Sequence, residues 1–247
     1  MSPNAMSAPL IHRLNRQFNG AGALDVLEQS IKDPQTGRVA LVSSFGAESV
    51  VLLHLLSRVC RQTPVLFIDT EMLFKQTLDY QLKVTRILGL TDVRILRPDP
   101  SEVSRLDPDR SLHKSAPDMC CNLRKTRPLQ DALTGFESWI TGRKHHHNGQ
   151  RSQLPFFEDD NNGHIKVNPL IHWAPAKIRS YMEQHELPFH PLVKRGYASI
   201  GCAPCTSPVG AGETARAGRW RGHEKQECGI HFTNGAVNRN AFQGEVL

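Results

Sequence analysis

Short apolar runs alternate with helical patterns through much of the chain, and this alternation restricts the fold more than any other feature. The predicted strands are residues 38–43, 64–68, 92–96 and 137–141, and the predicted helices are residues 22–32, 50–60, 73–88 and 175–185. A further helix is predicted to run to residue 133, with a kink or break at Pro128. Strands that alternate with helices are typical of a parallel sheet covered on both faces. We therefore expect an α/β fold whose twisted parallel sheet is flanked by helices.

The chain of 247 residues is long enough for one large domain with a buried core. We expect residues 1–20 to be a disordered lead-in, residues 21–210 to form the α/β domain, and residues 211–247 to form a flexible tail. The amino terminus lacks the pattern of a secretory signal, and no apolar run is long enough to cross a membrane. Six cysteines are too few for a disulfide framework at this length. We therefore expect a cytoplasmic protein without membrane association.

The net charge of +6 favours an anionic partner. The basic residues concentrate at 124–127, 143–151 and 216–221, and none of these runs alternates repeatedly with aromatic residues as nucleic-acid-binding segments often do. A small substrate with several negative charges accounts for such clusters better than nucleic acid does. The pattern leaves the oligomeric state open, a homo-oligomer included.

Four of the six cysteines form two close pairs. Cys120 and Cys121 are adjacent, and Cys202 and Cys205 have the spacing Cys-x-x-Cys. A disulfide between adjacent residues strains the peptide that joins them, so the first pair is not expected to bridge itself. Ligation by thiolates alone is typical of zinc or of an iron–sulfur cluster. Zinc ligands are usually separated by two to four residues, which favours the cluster and leaves zinc as the alternative.

Two further segments have the composition of an anion site. Residues 43–49, here called the serine loop, follow the first strand, where backbone amides and hydroxyls at a helix start can cradle an anion. The alternative is a capped strand–helix turn. Arg143 and Lys144 follow the strand at 137–141, where open α/β sheets bind ligands, and Arg151 lies in the same loop. The alternative for this loop is a solvated basic surface, and His145–His147 are interpreted as a surface feature.

The remaining cysteines are Cys60 and Cys228. Cys60 ends an apolar helix and is expected to be an inert core thiol. Cys228 lies in a polar tail near Arg219 and His231, and nearby cations lower the pKa of a thiol and favour the nucleophilic thiolate, although Glu227 opposes this. The alternative is an exposed cysteine without a role.

Together these motifs resemble the assimilatory adenylylsulfate (APS) reductases, the iron–sulfur-cluster branch of the APS/PAPS reductase family. The resemblance extends from about residue 38 to 232 and rests on the cysteine pairs and on residues 227–231, Glu-Cys-Gly-Ile-His. It implies a fold like that of the adenine nucleotide alpha hydrolases and a [4Fe–4S] cluster on Cys120, Cys121, Cys202 and Cys205. It also implies reduction of adenosine 5′-phosphosulfate to sulfite and AMP, through an S-sulfocysteine on the catalytic Cys228, in assimilatory sulfate reduction.

The resemblance further implies the substrate-binding residues. They are Ser43, Ser44, Gly46, Glu48, Ser49, Asp69, Lys125, Arg143, Lys144, Arg151, Arg216, Arg219 and His231. The implied reductant is thioredoxin or a glutaredoxin-like dithiol protein. The sequence supports an external dithiol, because Cys228 has no evident resolving thiol of its own.

Two departures from the family pattern leave alternatives. The serine loop reads Ser-Ser-Phe-Gly, partly like the branch that uses 3′-phosphoadenosine 5′-phosphosulfate (PAPS), so a PAPS reductase or a dual-specificity enzyme is the first alternative. His145–His147 also replace the usual residues of the arginine loop (residues 142–153). Two other classes are a zinc-stabilised binding module without catalysis and an ATP pyrophosphatase-type ligase. The serine loop departs from the Ser-Gly-Gly-x-Asp-Ser loop of those ligases.

Overall fold

The computed structural model describes residues 4–145, 153–222, 225 and 229–231; for residues 4–7 and 231 it describes the backbone alone. Cys228 and Arg151 therefore lie outside the described residues, and so does much of the expected flexible tail. The division into a domain at 21–210 and a tail at 211–247 stays a prediction.

A six-stranded sheet forms the centre of the fold. Its strands are β1 (Val39–Ser43), β2 (Val65–Ile68), β3 (Val93–Leu96), β4 (Ser138–Ile140), β5 (Phe157–Asp159) and β6 (Ile165–Val167). The order is β3-β2-β1-β4-β6-β5; β5 is antiparallel to β6, and every other neighbouring pair is parallel. In β1, Leu41 lies opposite Val65 of β2 and Ile140 of β4, so the carboxyl ends of these three strands reach the same edge. The four predicted strands are confirmed, while β5 and β6 were not predicted.

Helices cover both faces of the sheet. They are α1 (Asn4–Gln17), α2 (Ala23–Lys32), α3 (Ser49–Val59), α4 (Lys75–Leu88), α5 (Pro100–Leu106), α6 (Leu112–Ser115), α7 (Pro117–Cys121), α8 (Arg127–Leu133) and α9 (Pro175–Gln184). The larger apolar core contains residues of α1, α2, α3, α4 and α9, whereas the smaller core packs Leu129 and Leu133 of α8 against the opposite face. The predicted α/β class is therefore confirmed. Within the described residues, no helix is both long enough and apolar enough to span a bilayer.

The helix that was predicted to break at Pro128 is interrupted one turn earlier. Residues Asn122–Thr126 form a π-helical segment between α7 and α8, and Pro128 lies in the first turn of α8. A proline ring clashes with the carbonyl group four residues before it in an α-helix, which here belongs to Arg124. The wider π turn relieves that clash, so the proline accounts for the interruption.

The expectation of a disordered lead-in over residues 1–20 is wrong for Asn4–Gln17, which form α1. Leu14 is fully buried, and the ring of Phe18 packs 6.0 Å from that of Phe157. The side-chain amide of Asn15 donates to the carbonyl group of Phe157 at 2.7 Å and accepts from its N–H at 3.0 Å. These tertiary contacts hold α1 against β5 at the edge of the sheet.

Candidate active site

A cavity of about 290 Å³ opens where β1, β2 and β4 end. Its wall contains Ser43 from the end of β1, Thr70 from just after β2, and Thr141 from just after β4. Ligands of open parallel sheets usually bind in this position, because the loops that leave the strands converge there. The cavity is therefore the candidate site.

The serine loop forms one wall of this cavity. The Ser43 hydroxyl accepts from the N–H of Phe45 at 3.1 Å, and the Ser49 hydroxyl accepts from the N–H of Gly46 at 3.0 Å. Phe45 has a φ of 46°, which non-glycine residues rarely adopt, and its buried ring packs edge-on against Phe67 at 5.1 Å. The loop is thus fixed by its own serines and by an aromatic anchor. The five predicted members of this loop that line the cavity are Ser43, Ser44, Gly46, Glu48 and Ser49.

Five cationic side chains complete the wall. They are Lys125, Arg143, Lys144, Arg216 and Arg219. Glu48 is the only acidic residue among the described residues of the lining, and its carboxylate lies 2.8 Å from the ammonium group of Lys144. Arg143 forms an ion pair with Glu158 of β5. The excess of cations makes the cavity suitable for a ligand with several negative charges.

The tail arginines are held by an aromatic residue that the sequence analysis did not identify. Trp220 is buried, with the guanidinium of Arg219 4.4 Å and that of Arg216 5.9 Å from its ring centre. A Cβ atom at Gly201 would lie 2.3 Å from Nη2 of Arg219, so a glycine is needed for the guanidinium to pack there. The only sequence signal for Trp220 was its position beside a predicted substrate-binding arginine.

The two cysteine pairs come from separate segments. Cys120 and Cys121 end α7, whereas Cys202 precedes the 3₁₀ turn Ala203–Cys205 and Cys205 ends it. This turn is tied to the segment after β2, because the N–H of Ala203 donates to the carbonyl group of Met72 at 2.7 Å. None of the four thiols is in a disulfide bond.

The pKa values show that the fold brings the pairs together. Burial, which is the largest cause, and the neighbouring thiolates of Cys121 and Cys202 together raise the pKa of Cys120 to about 12. Burial also raises the pKa of Cys205, with contributions from Cys202 and Cys121. Each pair therefore lies close enough to affect ionisation in the other.

Cys202 differs from its neighbours. Burial opposes its ionisation, yet its pKa lies below the ordinary value because Lys125, Thr70 and Arg219 stabilise the thiolate. The Thr70 hydroxyl lies 3.2 Å from the sulfur atom. Cys202 also lines the cavity, so Lys125 and Arg219 act on both the cavity and the cysteine group. In the part of the chain that the structure describes, no three or more histidine, cysteine, aspartate or glutamate side chains form a site for a metal ion.

Arg124 is a second residue that the sequence analysis missed. Its guanidinium is almost fully buried and donates to Asp107 at 2.8 and 3.1 Å and to the carbonyl group of Thr70 at 3.1 Å. Its only sequence signal was membership of the basic run at 124–127. The contacts fix the π segment against the end of β2, and the next residue, Lys125, lines the cavity.

The other predicted residues lie elsewhere or outside the description. Asp69 does not line the cavity; it pairs with Arg97 at 3.2 Å and accepts from the N–H of Glu71. Arg151 and Cys228 are outside the described residues, and only the backbone of His231 is described. On either side of Cys228 in the sequence, Lys225 pairs with Asp118 of α7, and Ile230 lines the cavity.

The sheet, the serine loop and the surrounding cations define an α/β protein with an anion site beside a cysteine cluster. The chain belongs to the family of the phosphoadenosine phosphosulfate reductase domain, whose profile matches residues 38–208. The predicted family is thereby confirmed.

Individual relatives agree with this assignment. The chain is 44% identical over 210 residues to an adenosine 5′-phosphosulfate reductase of Mesorhizobium japonicum, and the match covers 85% of this chain and 82% of the relative. A crystal structure of phosphoadenylyl-sulfate (PAPS) reductase from Candida auris, in a phosphate complex, matches with a TM-score of 0.69 at 29% identity, over 83% of this chain and 98% of that one. An FMN adenylyltransferase from Candida glabrata shares the fold alone, with a TM-score of 0.53 at 18% identity over 78% of this chain and 68% of its own.

Proposed function

We propose that this protein reduces adenosine 5′-phosphosulfate to sulfite and AMP, as an oxidoreductase of assimilatory sulfate reduction. The observation that carries the proposal is the set of five cations around the serine loop at the carboxyl edge of the sheet. A phosphosulfate has adjacent phosphoryl and sulfonyl groups, and such a cavity compensates both charges. Relatives named for this activity, such as the one from Mesorhizobium japonicum, support the choice of substrate.

In the proposed reaction, the thiolate of Cys228 attacks the sulfur atom of the phosphosulfate. A sulfur–sulfur bond forms, the bond from sulfur to the bridging oxygen breaks, and AMP leaves with the electron pair. The cations of the cavity, Lys125 and Arg219 among them, stabilise the negative charge that develops on the leaving phosphate. Cys228 precedes Ile230 by two residues, and Ile230 lines the cavity.

A dithiol protein then completes the cycle. One of its thiolates attacks the sulfur atom of Cys228 and displaces sulfite, which leaves a mixed disulfide. Its second thiolate attacks the partner's own sulfur atom in that disulfide and releases the Cys228 thiolate, so the partner ends as a disulfide. The oxidation of the dithiol supplies the two electrons that reduce sulfate-level sulfur to sulfite. Thioredoxin or a glutaredoxin-like protein has this chemistry.

Cys120, Cys121, Cys202 and Cys205 fit a [4Fe–4S] cluster. None of these four thiols forms a disulfide bond, and the two pairs affect each other's ionisation although they are far apart in sequence. Zinc requires four sulfur atoms at about 2.3 Å from one centre, whereas a four-iron cluster takes each cysteine on a separate iron. Cys120 and Cys121 are adjacent, whereas zinc ligands are usually separated by two to four residues, and this favours the cluster over zinc. When bound, the cluster would link α7 to the turn Ala203–Cys205 and add charge beside the cavity.

A covalent intermediate gives the test. Incubation of anaerobically purified protein with adenosine 5′-phosphosulfate, without a dithiol, should add about 80 Da, the mass of SO₃, and release about one AMP per chain. The Cys228→Ser variant should form no adduct, whereas Cys60→Ser, the matched control, should form it normally. An adduct that maps to another cysteine, or sulfite production by Cys228→Ser, would disprove the mechanism.

Use of the 3′-phosphorylated substrate is the second candidate. The Ser-Ser-Phe-Gly sequence of the serine loop and the structural similarity to the Candida auris PAPS reductase favour it. The ratio of kcat/KM for the two substrates, measured side by side with the same dithiol, distinguishes the two enzymes.

A further inference from the structure

Arg143, which lines the cavity, is held from behind by the β5–β6 hairpin. Its guanidinium forms an ion pair with Glu158 of β5, and its Nε–H donates to the side-chain oxygen of Asn168 at 3.2 Å. Both members of the ion pair are nearly excluded from solvent, with 4% of the Arg143 side chain and 12% of the Glu158 side chain exposed. The guanidinium is thus held by one ion pair and one hydrogen bond, both from residues that lie in a strand or directly after one.

Asn168 is itself fixed. Its side-chain amide donates to the carbonyl group of Pro155 at 3.0 Å, and its backbone N–H donates to the carbonyl group of Phe156 at 2.7 Å. Its side-chain oxygen also accepts from the Thr141 hydroxyl at 3.3 Å. Because the amide group has partners on both of its ends, its oxygen has one orientation, which faces Arg143.

Glu158 also compensates a second buried cation. Lys166 of β6 is 2% exposed, its ammonium lies 3.6 Å from the Glu158 carboxylate, and it packs 4.7 Å from the ring centre of Trp139. Charged groups are buried only at a cost, and this cost is offset when they are paired. The cluster of Arg143, Glu158 and Lys166 is therefore unlike an exposed ion pair, because its charges are largely removed from water.

We propose that Glu158 is a positioning residue for the reaction, because it fixes the guanidinium of Arg143 at the cavity wall for an anionic group of the substrate. The nature of that group rests on the proposed function. A fixed guanidinium loses little conformational freedom when the anion binds, so its contribution to affinity depends on Glu158 and Asn168. Loss of Glu158 should weaken substrate binding and leave the later chemical steps largely unchanged.

The test is a double-mutant cycle on steady-state kinetics. Glu158→Gln should raise KM for adenosine 5′-phosphosulfate about tenfold and change kcat by less than about threefold. Arg143→Met should raise KM at least as much. If Glu158 acts through Arg143, then the double variant should be no worse than Arg143→Met alone. An unchanged KM in Glu158→Gln, or additive effects in the double variant, would overturn the proposal.

Two further variants separate positioning from folding. Lys166→Met is the matched control, since this substitution removes a buried charge beside the Glu158 carboxylate but leaves the ion pair of Arg143 with Glu158. The Lys166→Met variant should differ from the wild-type protein in melting temperature but not in KM. If Glu158→Gln does not fold, then Glu158→Gln/Lys166→Met, which lacks the excess buried cation, should fold and still show the raised KM. A KM that recovers in that variant, or rises equally in Lys166→Met, would assign the effect to hairpin stability and overturn the proposal.

A failure of the proposed function can be distinguished from a failure of the positioning role. Absence of turnover by the wild-type protein would refute that function. The same variants would then be titrated with AMP, which carries the product phosphate, by calorimetry. A dissociation constant about tenfold higher in Glu158→Gln than in Lys166→Met would still support the positioning role, and equal constants would refute it.

Discussion

Replacement of Asp107 by asparagine should destabilise the fold strongly. Asp107 and Arg124 form a buried ion pair whose side chains are 0% and 1% exposed, with donor–acceptor distances of 2.8 and 3.1 Å. Asparagine keeps the size of the side chain but removes its charge, which leaves the guanidinium buried without its main partner. Breaking a buried ion pair in this way typically costs about 3–5 kcal/mol of the free energy of unfolding.

The structure places the expected value near the lower limit. Glu71 lies 3.6 Å from the same guanidinium and is 33% exposed, so it compensates part of the charge. We therefore expect a loss of about 3 kcal/mol, which for a chain of this length lowers the melting temperature by about 6–12 °C. Arg124 also bonds to Thr70, whose hydroxyl contacts Cys202, so the iron content after anaerobic purification should fall as well.

Thermal unfolding followed by circular dichroism measures the first effect, and iron per chain measures the second. Asp109→Asn is the matched control, because this neighbouring carboxylate is exposed and accepts only from Ser111 among its described hydrogen bonds. Its melting temperature should equal that of the wild-type protein. A melting temperature of Asp107→Asn within about 1 °C of the wild-type value would refute the reasoning, since the pair would then contribute almost nothing.

Three other predictions concern the cysteines, the cavity and pH. Replacement of Cys120, Cys121, Cys202 or Cys205 by serine should lower both the iron content and the melting temperature, because a cluster would tie together segments about eighty residues apart. A full iron content in Cys121→Ser would show that Cys121 is not a ligand. Gly201→Ala and Arg219→Ala should both raise KM and the salt sensitivity of KM, since the methyl group of an alanine at position 201 would lie 2.3 Å from the guanidinium of Arg219. Normal kinetics in both variants would exclude a substrate role for Arg219. Burial lowers the pKa of His190 to about 4, so the unfolded chain takes up a proton between pH 6.5 and 4 that the folded protein excludes. As the pH is lowered through this window, His190 alone should reduce the free energy of unfolding by up to about 1.4 kcal/mol per pH unit. The free energy should therefore fall less steeply in His190→Gln than in the wild-type protein, as urea titrations at several pH values would show.

The parts of the fold that could be predicted from sequence are those in which burial is continuous along the chain. β1, β2 and α3 consist mainly of apolar residues, so local composition indicates both their type and their place in the core. The serine loop, Arg143 and Lys144 were found because they follow such strands, and the topology of a parallel sheet then brings them together. Lys125, Arg216 and Arg219 follow no strand and were implied by the family resemblance alone.

The parts that could not be predicted depend on partners distant in sequence. β5 and β6 have three residues each and, unlike the equally short β4, they contain charged residues, Glu158 and Lys166 among them. Those charges are buried because Arg143 and Trp139 lie against them, which no local pattern reveals. Arg124 was likewise indistinguishable from a solvated arginine, since its partner Asp107 lies seventeen residues earlier.

The contact of α1 with β5 also bears on solubility. β5 is an edge strand, and an uncovered edge offers unpaired backbone groups to any other chain. The amide of Asn15 occupies both hydrogen-bonding groups of Phe157, in the way that a neighbouring strand would, and Leu14 and Phe18 shield the apolar surface beside it. A chain that begins after residue 20 would expose this edge together with that apolar surface. Such a chain would be prone to aggregate by edge-to-edge pairing even though its cavity and cysteines were unaltered.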